Sequence, residues 1–241
     1  MSGRAVETLR GGLYYAAFYL SMAVCGAAFF VPAALSAPLA RRLSKAFFWW
    51  NEVLLRALCG LRVEVRGEVP AGPAMVAAKH QSMLDVFALY RALPRPRFVM
   101  KRELTRAPVF GWFALRVGTV PVDRGGGGAA MREMVARMTD GGAEFGQLVI
   151  YPQGTRVAPG AHKPYKIGAH ALYEASGLAC VPVAGDAGVF QPKGVRVRKG
   201  VAVIEFLPPI PPGLKREAFM ARLEAEIEAA STRLAAEARP R

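Results

Sequence analysis

Seven consecutive residues, Lys79-His80-Gln81-Ser82-Met83-Leu84-Asp85, hold the chemistry most worth following in this chain. They set an imidazole and a carboxylate five positions apart, directly after the apolar run 74–78. Histidine exchanges protons near neutral pH, with a free pKa of about 6.5. A carboxylate on one ring nitrogen fixes the tautomer and stabilises the imidazolium that forms when the other nitrogen takes a proton. That is the base half of a hydroxyl-activating site, and no obvious serine nucleophile accompanies it. A base without its own nucleophile implies that the substrate brings the hydroxyl. A second reading fits the same residues. Ser82 and Asp85 stand at the spacing of a capping box, so Asp85 would serve a helix over residues 82–93 and His80 would merely end a strand. The two readings are compatible, because a helix capped at Ser82 leaves His80 at its mouth.

The elements that would position such a site follow from periodicity. After Gly60, short apolar runs recur at residues 63–65, 74–78, 98–100, 120–122, 148–151, 181–184, 195–197 and 201–206. Between several of them lie helix-like stretches at residues 82–93, 108–117, 129–140 and 166–176. This alternation predicts an α/β domain with a mostly parallel or mixed sheet and flanking helices. Arg198-Lys199-Gly200 between the last two runs predicts a hairpin at one edge, and the proline-rich stretch 208–212 ends the sheet. Phe219, Leu223, Ile227, Ala230 and Leu234 then form one apolar stripe of a final helix, read as docking surface. The glycine run 125–128 lacks the Lys-Ser/Thr of a phosphate loop and reads as a flexible connection.

Composition adds a membrane and an anion. Residues 11–40 carry no charge. As a helix they would extend about 45 Å, more than the ~30 Å hydrocarbon core. With Pro32 inside, the segment predicts one long tilted span or a short helical hairpin; a buried helix pair is the alternative. Arg41, Arg42 and Lys45 follow it, which favours a catalytic bulk on the cytoplasmic side of the inner membrane. Residues 43–61 mix Phe47, Phe48, Trp49 and Trp50 with Lys45, Glu52 and Arg56, as an interfacial helix or a plain core helix would. The expected division is an anchor over residues 1–60 and a catalytic domain over residues 61–241. The formal net charge of +14 implies an anionic partner. Three widely spaced cysteines and three histidines suit neither a disulfide framework nor a zinc site. The basic segment 91–124, interleaved with Phe98, Phe110, Trp112 and Phe113, suits an anionic bilayer or an acidic carrier protein equally. No nucleic-acid motif is present, and nucleic acid is not an expected partner.

Polar groups also follow the strand-like runs at Gly118–Arg124, at Tyr151-Pro152-Gln153-Gly154-Thr155-Arg156 and at Val181-Pro182-Val183. In α/β sheets ligands collect at the carboxyl ends of strands, so these loops should meet His80 and Asp85 there. In this order and at these separations, the segments resemble the four blocks of the glycerophospholipid acyltransferases, most of all the bacterial 1-acyl-glycerol-3-phosphate acyltransferases. The blocks are His-x4-Asp at His80–Asp85, Gly-x4-Asp-Arg at 118–124, Pro-Glu-Gly-Thr-Arg at 152–156, and Val-Pro-Val at 181–183. The likeness covers about residues 60–215. Two positions depart from it: Gln153 stands where the blocks usually carry Glu, and Lys79 where an Asn often precedes the histidine.

The resemblance implies acyl transfer from a thioester, acyl-CoA or an acyl carrier protein, to the sn-2 hydroxyl of lysophosphatidic acid, with no cofactor or metal and no acyl-enzyme. His80 would be the base and Asp85 its orienting partner. Arg124, Arg156 and, more weakly, Lys101 would hold the acceptor phosphate, since Arg suits bidentate phosphate contact. Gln153, Gly154 and Thr155 would position the acceptor or the thioester oxyanion through backbone N–H groups. Asp123 would pair with Arg124 or shape a turn.

Overall fold

In the computed structural model the chain is described over residues 3–123, 127–140 and 146–238. It opens with two helices, α1 (Gly3–Leu35) and α2 (Ala37–Cys59), which fold back on each other. The Phe18 and Phe47 rings lie 5.9 Å apart, and Cys59 Sγ reaches Arg10 O at 3.5 Å. The break falls at Ser36, and Pro32 stays inside α1. Ser36 is extended and its hydroxyl accepts the Leu39 N–H at 3.3 Å, while Pro38 occupies the first turn of α2, where a missing N–H costs little. Thus the hairpin turns inside the uncharged segment, at Ser36, and its second arm runs on beyond residue 40 through the aromatic-rich stretch.

One side of α1 packs inward at Gly11, Tyr14, Phe18, Gly26 and Ala33. A side chain at Gly26 would collide with Val109, so glycine allows the close approach. The other side leaves Leu9, Leu13, Leu20, Val24, Val31 and Leu35 exposed. Only 17% of the most apolar window of α1 is buried, in a helix long and apolar enough to cross a membrane.

Seven strands follow: β1 (Leu61–Arg66), β2 (Ala74–Ala78), β3 (Pro96–Lys101), β4 (Val120–Val122), β5 (Gln147–Ile150), β6 (Cys180–Gly185) and β7 (Gly200–Phe206). Their order is β1-β7-β6-β2-β5-β3-β4. Every neighbouring pair is parallel except β6 and β7. Five strands therefore end at one edge of a mixed sheet, as the alternation of runs predicts.

Side chains alternate across β2. Val76 and Ala78 face a cluster that includes residues of α2 and of α3 (Leu84–Ala92), with Trp112 and Phe113 of α4 (Phe110–Arg116) packed against it. Met75 and Ala77 face Met134 and Met138 of α5 (Gly127–Thr139), Leu172 and Tyr173 of α6 (Gly168–Ser176), and Phe219, Leu223 and Ile227 of α8 (Arg216–Glu237). The predicted stripe of the final helix does dock, and it covers the sheet. Two short elements had no sequence signature: a 3-10 turn at Arg102–Arg106 and α7 (Ala187–Phe190).

The expected strand at 195–197 does not form. Both edges of β7 are already paired, with β1 and with β6, so no ladder remains for a hairpin partner. Val197 instead packs beside Tyr14 and Phe18 of α1.

Asp186 supports the point where the sheet reverses. Its Oδ1 accepts the Val203 N–H at 2.7 Å, while its own N–H reaches Val203 O at 3.3 Å. Burial pushes this carboxyl up to about 6 from its ordinary 3.8. The folded chain then holds a proton that the unfolded chain has released. Stability should rise as the pH falls through about 6, and the gain is complete below 3.8. Asp186→Asn keeps an oxygen for Val203. It should be more stable than the parent at pH 7 and should lose this dependence, which urea midpoints at pH 7 and pH 5 would check.

Candidate active site

The site is built where β2 and β5 end. Asp85 lies in the first turn of α3, and its Oδ2 accepts three donors. They are the Gln81 N–H at 2.6 Å, the Ser82 N–H at 2.8 Å and His80 Nδ1 at 3.0 Å. The cap and the imidazole partner are therefore the same oxygen. Helix α3 starts at Leu84, one residue later than a cap at Ser82 predicts; the Ser82 hydroxyl accepts the Leu84 N–H at 3.2 Å and donates to Gln191 Oε1 at 2.7 Å. A carboxylate only accepts, so Nδ1 carries the proton and Nε2 is left as the basic nitrogen. Nε2 has no hydrogen bond among the described residues. The Asp85 side chain is 2% exposed and that of His80 15%, so the carboxylate is sealed while the imidazole keeps an opening.

Tyr151, at the end of β5, stacks on the His80 ring at 4.0 Å between centroids and 20° between planes. Its hydroxyl is buried without a partner among the described residues. Burial, reinforced by the nearby Asp85, raises its pKa, so the ring stays neutral beside the imidazole. Residues 151–154 form a turn closed by the Gly154 N–H on Tyr151 O at 2.8 Å, with Gly154 at a φ of 68° that suits glycine. That N–H is engaged, so free backbone donors in this loop fall at Thr155 and Arg156, whose N–H groups make no hydrogen bond among the described residues. The Val157 N–H donates to His80 O at 2.8 Å and ties the loop to the histidine.

Gln153 is buried; its amide nitrogen donates to Lys163 O at 3.1 Å and lies 3.5 Å from Glu228 Oε1, and its oxygen has no partner among the described residues. Thr155 is half-buried. Arg156 is exposed, makes no ion pair among the described residues and interacts electrostatically with Tyr15 of α1.

The remaining predicted residues divide. Lys101 ends β3 and its ammonium sits 2.9 Å from Glu103. Asp123 follows β4 and is exposed; Arg124 lies outside the described residues. β3 and β4 are two and three strands from β2, so Lys101 and Asp123 share the edge with His80 without touching it. The basic segment 91–124 also divides. Arg97 donates to the carbonyls of Arg137, Met138 and Asp140 at the end of α5, and Arg116 to those of Ala33 and Ala34 at the end of α1. These two close helix ends that would otherwise carry orphan carbonyls. Arg91 pairs with Glu52, and Arg102 with Glu133 at 3.2 Å.

Tyr151 stands in a segment expected at this edge, but its stacking on the imidazole had no signal in the sequence, and three further participants have none. Lys166, exposed, lays its side chain against the Gly154 turn and adds a cation to this loop. Gln191 links Ser82 to the Tyr15 hydroxyl, which lies 3.3 Å from Gln191 Nε2. Glu228 comes from the charged side of α8, where nothing in the sequence sets it apart.

A family model described as Acyltransferase matches residues 61–185. The 1-acyl-sn-glycerol-3-phosphate acyltransferase of Pseudomonas aeruginosa is 32% identical over 142 residues, 58% of this chain and 55% of that protein. The lyso-ornithine lipid O-acyltransferase of Pseudomonas aeruginosa is 30% identical over 200 residues, 75% of this chain and 74% of that protein. The chain thus spans just over half the length of the first relative. Among solved structures, the 1-acyl-sn-glycerophosphate acyltransferase PlsC from Thermotoga maritima superposes with a TM-score of 0.78 over 96% of this chain and 98% of that chain, at 18% identity, which shows a shared fold.

Gln153→Glu would place a second carboxylate about 3.5 Å from Glu228 and remove the donor to Lys163 O. Loss of the donor and like-charge crowding should lower stability by roughly 1–3 kcal/mol. A thermal midpoint at or above that of the parent would show that position 153 tolerates the charge.

Proposed function

The chain belongs to the acyltransferase family, and we propose that it transfers a fatty acyl group from an acyl thioester to the sn-2 hydroxyl of 1-acyl-glycerol-3-phosphate, giving phosphatidic acid. The observation that carries this reading is the His80–Asp85 pair with its outer nitrogen unoccupied. In the proposed step Nε2 takes the proton of the glycerol hydroxyl as its oxygen attacks the thioester carbonyl. The C–O bond forms, the C–S bond breaks, and the thiolate leaves with the proton from the imidazolium. Asp85 stabilises that imidazolium; a positioned base contributes roughly 10²–10⁴-fold. The N–H groups of Thr155 and Arg156 are the candidate donors to the oxyanion. Arg156, exposed and without an ion pair among the described residues, suits the phosphate of the acceptor, with Lys101 at the same sheet edge as a further cation; Arg124 is proposed from its place in the matched block alone. Two donors fit the chemistry, acyl-CoA and an acyl carrier protein.

A second acceptor is favoured by one observation: the match to the lyso-ornithine lipid acyltransferase is longer and covers 74% of that relative. Such an acceptor has no phosphate, so the role of Arg156 separates the two readings. A purified-protein assay with a panel of lyso-lipids against both donors tests them. His80→Ala should lower turnover by roughly 10²–10⁴-fold with an unchanged melting temperature. Asp85→Asn should be comparably severe. Arg156→Ala should raise KM for the phosphate monoester. Equal turnover of a phosphate-free acceptor, with Arg156 dispensable, would overturn the choice of lysophosphatidic acid.

The proposed setting is the cytoplasmic face of the inner membrane, with the exposed apolar side of α1 in contact with lipid. High-salt washing should leave the protein in the membrane fraction, since the contact is apolar. Full release by salt would contradict it.

A further inference from the structure

The two positions at which this chain departs from the family blocks, Lys79 and Gln153, meet on one carboxylate. Lys79 Nζ lies 2.6 Å from both oxygens of Glu228. The Tyr165 hydroxyl donates to Glu228 Oε1 at 2.9 Å, and Gln153 Nε2 lies 3.5 Å from the same oxygen. The Lys79 side chain is 3% exposed and that of Glu228 26%, so the ammonium is out of water and needs its counter-charge in place. Burial and the adjoining carboxylate raise the Tyr165 pKa, which keeps its hydroxyl a donor.

We propose that Glu228 is a positioning residue for acyl transfer: from the C-terminal helix it supplies the carboxylate that position 153 lacks, and it clamps the loops after β2 and β5 in the register that His80 and Arg156 require. The proposal rests on the acyl-transfer reading. Its physical basis is the geometry of the two loops. Side chains alternate along extended chain, so Lys79 points to the α8 side while its neighbour His80 points toward Asp85. Gln153 lies three residues before Arg156 in a loop whose Val157 N–H already binds His80 O. A carboxylate bonded to both Lys79 and Gln153 therefore fixes the backbones of both loops from behind. One turn earlier on α8, Glu224 meets His162 at 2.6 Å and holds the outer part of the same loop. Lys79 and Glu228 are 149 residues apart in sequence, so the clamp forms only when α8 docks.

Four variants of the full chain test it, assayed for kcat and KM on lysophosphatidic acid with thermal midpoints in parallel. Glu228→Gln should lower kcat/KM by about 10²-fold, the scale of an ångström-sized misplacement in a positioned site. Since it leaves a buried ammonium unpaired, it could fail to fold. The double variant Lys79→Met with Glu228→Met removes both charges and should fold, yet stay impaired because Gln153 and Tyr165 have lost their acceptor. The exchange Gln153→Glu with Glu228→Gln returns an acid to position 153, beside the residue that Lys79 contacts, and should recover at least tenfold over Glu228→Gln, or over the double variant if the single one does not fold. Wild-type kcat/KM in the folded double variant would overturn the proposal, as would an exchange that folds without recovery. His80→Ala is the control: if it stays active the acyl-transfer reading itself fails, whatever Glu228 does.

Discussion

One oxygen, Asp85 Oδ2, holds the site together. It receives the backbone N–H groups of Gln81 and Ser82, in the turn that leads into α3, and it receives the imidazole. The capping role and the orienting role, which compete on paper, are one geometry. Their magnitudes still differ. A lost cap is worth about 0.5–2 kcal/mol of stability. A lost base is worth 10²–10⁴ in rate, or about 3–5 kcal/mol in the transition state. Charge at position 85 is thus dispensable for folding in a way that it is not for the proposed chemistry. The turn that brings Gln81 and Ser82 onto Asp85 also sets His80 within hydrogen-bond reach of the same oxygen, and the Tyr151 ring stacks on the imidazole.

Much of this was legible because it is local. The His-x4-Asp spacing, the strand–helix alternation and the stripe of α8 all depend on residues a few positions apart, and each appears in the structure within a few residues of its expected place. What was not legible depends on partners distant in sequence. The triplet 195–197 has strand composition, but whether it can pair depends on β7 having a free edge, and β1 returns from the other end of the chain to occupy it. Four-residue α7 is too short to show a period. Glu228 sits among other glutamates of a surface helix, and only the docking of α8 on Met75 and Ala77 brings it to Lys79.

A net charge of +14 points to an anionic partner. The structure shows that part of this charge serves the protein itself. Arg97, Arg116 and Lys45 close the carboxyl ends of α5, α1 and α3 by donating to main-chain carbonyls. Cations there also oppose the negative end of each helix dipole. Lys79 is consumed by Glu228. The cations left beside the histidine are fewer than the composition suggests, which sharpens the case for Arg156: it is exposed, unpaired among the described residues, and tied to His80 by the loop in which it sits.

That loop is also where the N-terminal hairpin meets the site. Tyr15 of α1 bonds to Gln191, Gln191 accepts from Ser82, and the Ser82 N–H lies on Asp85. Tyr15 also interacts with Arg156. The inner side of α1 is therefore part of the site's wall, while its outer side presents Leu13, Leu20, Val24 and Val31 to the surroundings. A helix packed this way cannot move far from the domain without disturbing the turn before α3. For an enzyme whose proposed acceptor and product are both lipids the arrangement has a consequence: if the exposed apolar side is the one in contact with lipid, as proposed, the bilayer surface and the wall of the reacting site would be two sides of one helix, and membrane contact would set how far the histidine stands from the lipid.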